Sequence, residues 1–253
     1  MDPTFRAALS VALFVWILGV GLVSLFLFRR RQEKLASAGG SLVLGPTVRA
    51  WYFETLRPLE EWLVRWRVSP TWLSGAQFFV SVAGALAFAR GLVFLGGWFV
   101  LCGGSLDILD GRVARRTQKG SARGAFLDSV IDRYADAFSL LGLAAFYRES
   151  WVLWVVLFAL VGGMLVSYAR ARAEGLGVRC EVGLLQRAER YVLLGFGAIF
   201  GSLCEHATGW HVGGAPYGLL VIVLCVLAVL SNTTALQRIA HVLRALAEEN
   251  PKP

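Results

Sequence analysis

Four aspartates enclosed by apolar sequence constrain this chain more than any other feature. They lie in DILDGRVARRTQKGSARGAFLDSVID, residues 107–132, as two pairs: Asp107 with Asp110, and Asp128 with Asp132. The flanks, roughly residues 92–106 and 135–146, are apolar enough for membrane helices. Ionisable residues at membrane depth are costly and mark functional sites. Spacings of three and four residues put each pair on one helix face. The two faces can meet across a helical hairpin whose turn is predicted over residues 112–123. Four converging carboxylates repel one another unless protons or cations compensate them. An all-oxygen ligand set suits hard cations such as Mg²⁺ or Mn²⁺. Gly111, Ala114 and Gly124 lie beside the acids, where missing side chains let a flat or phosphorylated ligand approach the backbone. The plainer alternative pairs the acids only with Arg112, Arg115, Arg116, Lys119 and Arg123; it leaves the fixed spacing of the whole set unexplained.

Composition agrees with a membrane setting. Of 253 residues, 57% are hydrophobic and 17% charged, a balance expected of a polytopic membrane protein rather than a soluble domain. The net charge of +8 raises the question of nucleic acid. The basic residues instead cluster beside apolar spans, which favours lipid headgroups and topology control. No nucleic-acid partner is expected. Cys102, Cys180, Cys204 and Cys225 are too scattered for a metal pair or a disulfide framework, and Cys102 and Cys225 read as small buried apolar residues. His206 and His211 read as outer-loop residues.

The acidic stretch resembles the signature of the CDP-alcohol phosphotransferase family, D-x2-D-G-x2-A-R-x8-G-x3-D-x3-D. It matches without departure at Asp107, Asp110, Gly111, Ala114, Arg115, Gly124, Asp128 and Asp132. The resemblance implies transfer of a substituted phosphate from a CDP-linked lipid to an alcohol, with release of CMP. It implies that Asp107, Asp110 and Asp128 hold two Mg²⁺ or Mn²⁺ ions, with Asp132 completing the site and acting as base. It also implies nucleotide contacts at Asp107, Gly111, Ala114, Arg115 and Gly124, and a homodimer. Chemistry agrees: a pyrophosphate diester brings negative charge to an acidic site, so divalent cations must bridge the two. A nearby carboxylate can take the proton of the attacking hydroxyl.

The rest of the chain is read as an all-α polytopic membrane protein: six core transmembrane helices, one extra N-terminal transmembrane helix and an interfacial amphipathic helix. Residues 8–28 form an apolar run long enough to span, followed at once by Arg29, Arg30 and Arg31. A retained anchor fits better than a signal peptide, because the run's amino end is poor in positive charge. Residues 1–40 are therefore assigned to an anchor and linker, 41–70 to the amphipathic helix, 71–245 to the catalytic membrane domain and 246–253 to a tail. Between residues 48 and 68, Trp51, Phe53, Trp62 and Trp66 alternate with arginines, as in a helix lying at headgroup level. The core spans are placed at about 71–89, 92–109, 124–147, 151–170, 186–203 and 217–230, and a basic amphipathic tail follows. Basic connections near 112–123 and 170–190 and the basic tail assign these to the cytoplasmic side of a bacterial inner membrane, and with them the aspartates. Asp136 reads as a buried partner for Arg133.

A second basic group comprises Ser167, Arg170, Arg172, Arg187 and Arg190. Guanidinium forks match phosphate oxygens, so this group could bind a second phosphate. It could equally touch lipid headgroups; charge alone leaves both readings open. The runs S-Y-A-R-A-R-A-E (residues 167–174) and Q-R-A-E-R (residues 186–190) resemble the bacterial phosphatidylinositol-phosphate synthase subgroup of the same family. That resemblance implies an inositol phosphate acceptor held by Ser167, Arg170 and Arg190, helped by Arg238. Arg170 and Gln186 stand where lysine and glutamate are common. Glycerol 3-phosphate, as in a phosphatidylglycerophosphate synthase, is the nearest rival acceptor. A non-enzymatic transporter or scaffold would not need the full signature.

Overall fold

The computed structural model describes Gly21, Ser24, Phe26 and Phe28, and residues 46–118 and 121–249. Most of the proposed N-terminal anchor lies outside the described residues. Seven helices follow one another from residue 46: α1 Pro46–Arg65, α2 Pro70–Ala89, α3 Val93–Thr117, α4 Ala122–Phe146, α5 Val152–Glu174, α6 Arg187–Thr208 and α7 Gly218–Glu249.

Four of them, α2, α3, α5 and α7, are long and apolar enough to cross a membrane. The chain is an integral membrane protein by this composition. Helices α4 and α6 match the others in length but carry Asp128, Asp132, Asp136, Arg187, Glu189 and Arg190. They place these residues inward. In α4, Phe126, Leu127, Tyr134 and Leu141 are exposed, whereas Asp132, Ala135, Ser139 and Gly142 are buried. Residues 127, 134 and 141 repeat every seven positions and so share the outer face.

Small residues let the helices approach closely. A Cβ on Gly97 of α3 would lie 2.7 Å from the Gly195 carbonyl oxygen of α6. One on Gly142 of α4 would collide with the Ala85 backbone of α2. Packing at small residues is how apolar helices associate without a hydrophobic drive between them. The main core joins Phe88, Leu143, Tyr147, Val156, Leu194 and Leu224, from five helices and the end of α4. A second cluster of Leu63, Leu73, Leu109 and Val113 fastens α1 to α2 and α3.

Several boundaries differ from the sequence reading. Helix α3 runs through Arg112, Arg115 and Arg116 to Thr117, so only residues 118–121 separate it from α4. No proline or glycine interrupts 112–117, and Ala114 and the arginines are good helix formers. The stop comes at Gln118, which adopts the left-handed conformation with φ 53°. Ser121 then caps α4 by accepting the Gly124 amide at 3.0 Å. Helix α6 extends to Thr208 and takes in His206, which bonds the Ser202 carbonyl instead of standing in a loop. The last span and basic tail are one helix of 32 residues. All four cysteines are free, but Cys102 is exposed and Cys225 half-buried, so the expected burial of these two is corrected.

Candidate active site

The hairpin of α3 and α4 brings the aspartates together. Asp107, Asp110 and Asp128 each offer an oxygen within 4.8 Å of the others. Asp132 stands one turn beyond Asp128, and Arg187 joins it to Asp107: Nη1 lies 2.9 Å from Asp107 Oδ1 and 2.5 Å from Asp132 Oδ2. Asp128 Oδ1 is buried without a hydrogen-bond partner. Buried polar atoms are normally satisfied, so an orphaned carboxylate oxygen facing two further carboxylates fits a cation ligand. The donor set is oxygen only, as Mg²⁺ and Mn²⁺ prefer.

Helix α2 supports the acids from behind. Ser74 donates to Asp110 Oδ2 at 2.8 Å, and Gln77 Nε2 donates to Asp132 Oδ1 at 3.2 Å. Both side chains are buried, Gln77 completely. Sequence reading missed them. Their signal was a polar stripe, Ser74, Gln77 and Ser81, recurring along one face of an otherwise apolar helix. Helix α1 holds the hairpin's end: Glu60, 3% exposed, accepts from Arg112 at 2.5 Å and from Arg116 at 3.3 Å. Tyr52 bonds Ser105 at 2.6 Å, and the Arg112 guanidinium lies 5.0 Å from the Phe53 ring centroid.

Asp136 does not partner Arg133. Its Oδ1 accepts from Arg187 Nε at 3.3 Å and its Oδ2 from Arg190 Nη2 at 2.9 Å. Arg133 instead donates to the Ser129 carbonyl and stays 3.9 Å from Asp132. The reason lies at the start of α6. Gln186 and Glu189 form a capping box, with Glu189 Oε2 accepting the Gln186 amide at 2.7 Å. This fixes Arg187 and Arg190 in the first helical turn, where their charges add to the positive helix end and face the acids.

The four residues assigned to an acceptor pocket differ in their commitments. Arg190 is 13% exposed, leans against Gly163 of α5, and has a buried Nη1 without a partner. Arg238 is buried and donates to the Val182 and Val166 carbonyls at 2.9 and 2.7 Å, within electrostatic reach of Arg170 and Arg190. Arg170 is exposed and paired with Glu174 at 2.8 Å. Ser167 is half-buried on the turn above Gly163. Around the nucleotide positions, a Cβ on Gly111 would stand 3.5 Å from Arg115 Nη1, and one on Gly124 3.1 Å from Ser121 Oγ. Ala114 is half-buried on the same helix.

A carboxylate cluster at a helical hairpin, faced by arginines from another helix, makes a centre suited to a divalent cation. Comparison with known proteins gives the class. The family described as CDP-alcohol phosphatidyltransferase matches residues 67–246, and the chain belongs to that family. It is a transferase. A phosphatidylinositol phosphate synthase of Streptomyces avermitilis is 37% identical over 217 residues, covering 83% of this chain and 86% of that protein. An archaetidylinositol phosphate synthase of Methanothermobacter thermautotrophicus is 37% identical over 169 residues, 67% of this chain and 80% of that one. Among solved structures, the Mycobacterium tuberculosis phosphatidylinositol phosphate synthase with CDP-DAG bound superposes with TM-score 0.61 at 30% identity, covering 73% of this chain and 92% of that one. The same protein in complex with manganese and citrate gives 0.62 over 74% and 88%.

Proposed function

We propose that this enzyme transfers the phosphatidyl group of CDP-diacylglycerol to an inositol phosphate, releasing CMP. The observation that carries the reading is the complete aspartate signature folded into one cluster, with Arg190 beside it holding a buried, unpartnered nitrogen. The relatives named as inositol phosphate synthases, the one seen with CDP-DAG and the one seen with manganese support it.

In this reading Asp107, Asp110 and Asp128 hold two Mg²⁺ or Mn²⁺ ions, with Asp132 completing the set. When bound, the ions neutralise the pyrophosphate and stabilise both the entering and leaving oxygens. The acceptor hydroxyl oxygen attacks the phosphatidyl phosphorus, and its proton passes to Asp132. The bond from that phosphorus to the oxygen bridging to CMP breaks, and CMP leaves with the electron pair. Gln77 holds the Asp132 carboxylate in orientation through its amide. The cytidine side is read along α3 and α4, at Asp107, Gly111, Ala114, Arg115 and Gly124. The acceptor phosphate is read by Ser167, Arg170 and Arg190. Arg238, whose guanidinium is spent on two carbonyls, orders the wall of this pocket by tying α7 to α5 and the 182 segment.

The catalytic domain of this reading spans residues 71–245, with α1 lying in the interface. Trp62 and Trp66 are exposed on that helix, and Arg57 is exposed between Glu54 and Glu61, which supports headgroup contact. The aspartates lie toward the basic helix ends, a side this reading assigns to the cytoplasm by the positive-inside rule.

The test is CMP release by purified protein with CDP-diacylglycerol and metal. Inositol phosphate, free inositol and glycerol 3-phosphate are compared at equal concentration. Inositol phosphate should be preferred, and Arg190→Ala should raise its KM at least tenfold, the equivalent of about 1.4 kcal/mol, with donor KM little changed. Preference for free inositol would refute the phosphate pocket; preference for glycerol 3-phosphate would keep the pocket and overturn the acceptor.

A further inference from the structure

Arg187 makes more polar contacts than any other side chain at the site, and no step of the reaction uses it. Its Nη1 bonds Asp107 and Asp132, its Nη2 bonds the Asp132 carbonyl at 3.3 Å and Tyr191 Oη at 3.0 Å, and its Nε bonds Asp136. The guanidinium also lies 5.3 Å from the Tyr191 ring centroid. Tyr191 is buried, and the capping box fixes the helix start. The charge is therefore anchored on three sides and cannot simply turn away.

The opposite edge of the acid cluster is different. Asp110 accepts from the neutral Ser74 hydroxyl, and Asp128 Oδ1 has no partner. The guanidinium thus bonds the carboxylates of one edge directly, whereas at the other it reaches Asp128 only through space, beside a hydroxyl and an orphaned oxygen. Carboxylate lone pairs engaged by a guanidinium are withdrawn from a metal, and a fixed positive charge beside an ion repels it.

We propose that Arg187 makes the two cation positions unequal, weakening the one at the Asp107–Asp132 edge relative to the one at the Asp110–Asp128 edge. Arg187 is a positioning residue with a second effect: it sets how readily the second ion binds and leaves. Asp136 is its anchor, and through Arg190 the same carboxylate ties this balance to the acceptor pocket. The inference rests on the assignment of these aspartates as metal ligands.

The test is a Mn²⁺ titration of the full chain in detergent, following free Mn²⁺ by electron paramagnetic resonance, without substrates. The wild type should show a tight and a weak class of site. In Arg187→Gln the weak class should tighten at least threefold while the tight class holds, and the rise in Tm on adding Mn²⁺ should exceed that of the wild type. A merely structural arginine would lower Tm and weaken or leave both classes. No shift, weakening, or an equal shift in both classes would overturn the proposal. If Arg187→Gln does not fold, Arg187→Lys decides: one ammonium cannot serve Asp107, Asp132 and Asp136 together, so the weak class should tighten, and an unchanged weak class rejects the idea. Asp128→Asn is the control. Retention of both classes in that variant would sink the metal assignment itself, separately from the role of Arg187.

Discussion

Gln77→Met removes the amide that holds Asp132 while keeping an unbranched side chain of similar volume. Two effects oppose each other in stability. The Nε2 bond to Asp132 is charge-assisted, a class contributing about 1.5–3 kcal/mol. Yet Gln77 Oε1 is buried without a partner, and leaving such a group unsatisfied costs about 1–3 kcal/mol. Methionine eliminates both, so Tm should shift by no more than a few degrees. Turnover has no such offset. If the amide's contribution is realised in holding the base while it takes the proton, its loss lowers kcat by roughly ten- to a hundredfold, since each 1.36 kcal/mol is a factor of ten. Donor KM should change little, because Gln77 touches neither nucleotide nor phosphate residues. The assay is steady-state CMP release at saturating metal, with Tm measured on the same preparation. An unchanged kcat would refute the positioning role; a large fall in Tm with kcat preserved in the folded fraction would make Gln77 purely structural.

Asp128→Asn should abolish Mn²⁺ binding and CMP release together, because it neutralises a ligand whose oxygen is otherwise orphaned; full metal-dependent turnover would contradict the site. Asp132→Asn should lower kcat far more than donor affinity, read from the ratio of kcat to kcat/KM. Glu60→Ala should cost about 1.5–3 kcal/mol of stability through its bond to the largely buried Arg112, whereas the bond to Arg116, whose side chain is 46% exposed, adds little. A Tm equal to that of wild type would refute the view that α1 clamps the hairpin.

The signature and its hairpin were legible because both reside in local spacing: three and four residues within a helix, with apolar flanks on either side. The supports were not. Ser74 lies 36 positions from Asp110, and Gln77 55 positions from Asp132, and neither carries a charge that calls for a partner. Arg187 and Arg190 were grouped with Arg170 because all are basic and end near the same surface. The structure separates them by what they face: Arg187 the Asp107 and Asp132 carboxylates, Arg190 the Asp136 carboxylate, Arg170 its own helix through Glu174. Charge counting cannot make that distinction, because it depends on how α6 is rotated against α4. The hairpin turn was overestimated for a similar reason. A run of arginines looks like a solvent loop, yet each is a good helix former, and Glu60 from α1 supplies the partner that keeps two of them helical.

The placement of polar residues also explains why, among the described helices, α4 and α6 do not pass as membrane spans on composition. A carboxylate in a lipid-facing position is costly, and the cost falls when the residue faces other helices and finds partners. Helix α4 concentrates Asp128, Asp132 and Asp136 on one side, turning Leu127, Tyr134 and Leu141 outward. Helix α6 directs Arg187 and Arg190 of its first turn at those acids, while Glu189 closes its own capping box. Neither helix is apolar enough to span on its own terms, but Arg187 and Arg190 of α6 reach across to Asp132 and Asp136 of α4 and offset their charge. The apolar helices α2, α3, α5 and α7 then pack around them, with close approaches at Gly97 and Gly142. Reversing one charge in this interface, as in Asp136→Lys, would set a third cation against Arg187 and Arg190 in a buried space. That variant should fail to accumulate in the membrane, while Asp136→Asn, which keeps a neutral acceptor oxygen, should still fold. Equal membrane levels of the two variants would show that complementarity between α4 and α6 is not what lets these helices insert together.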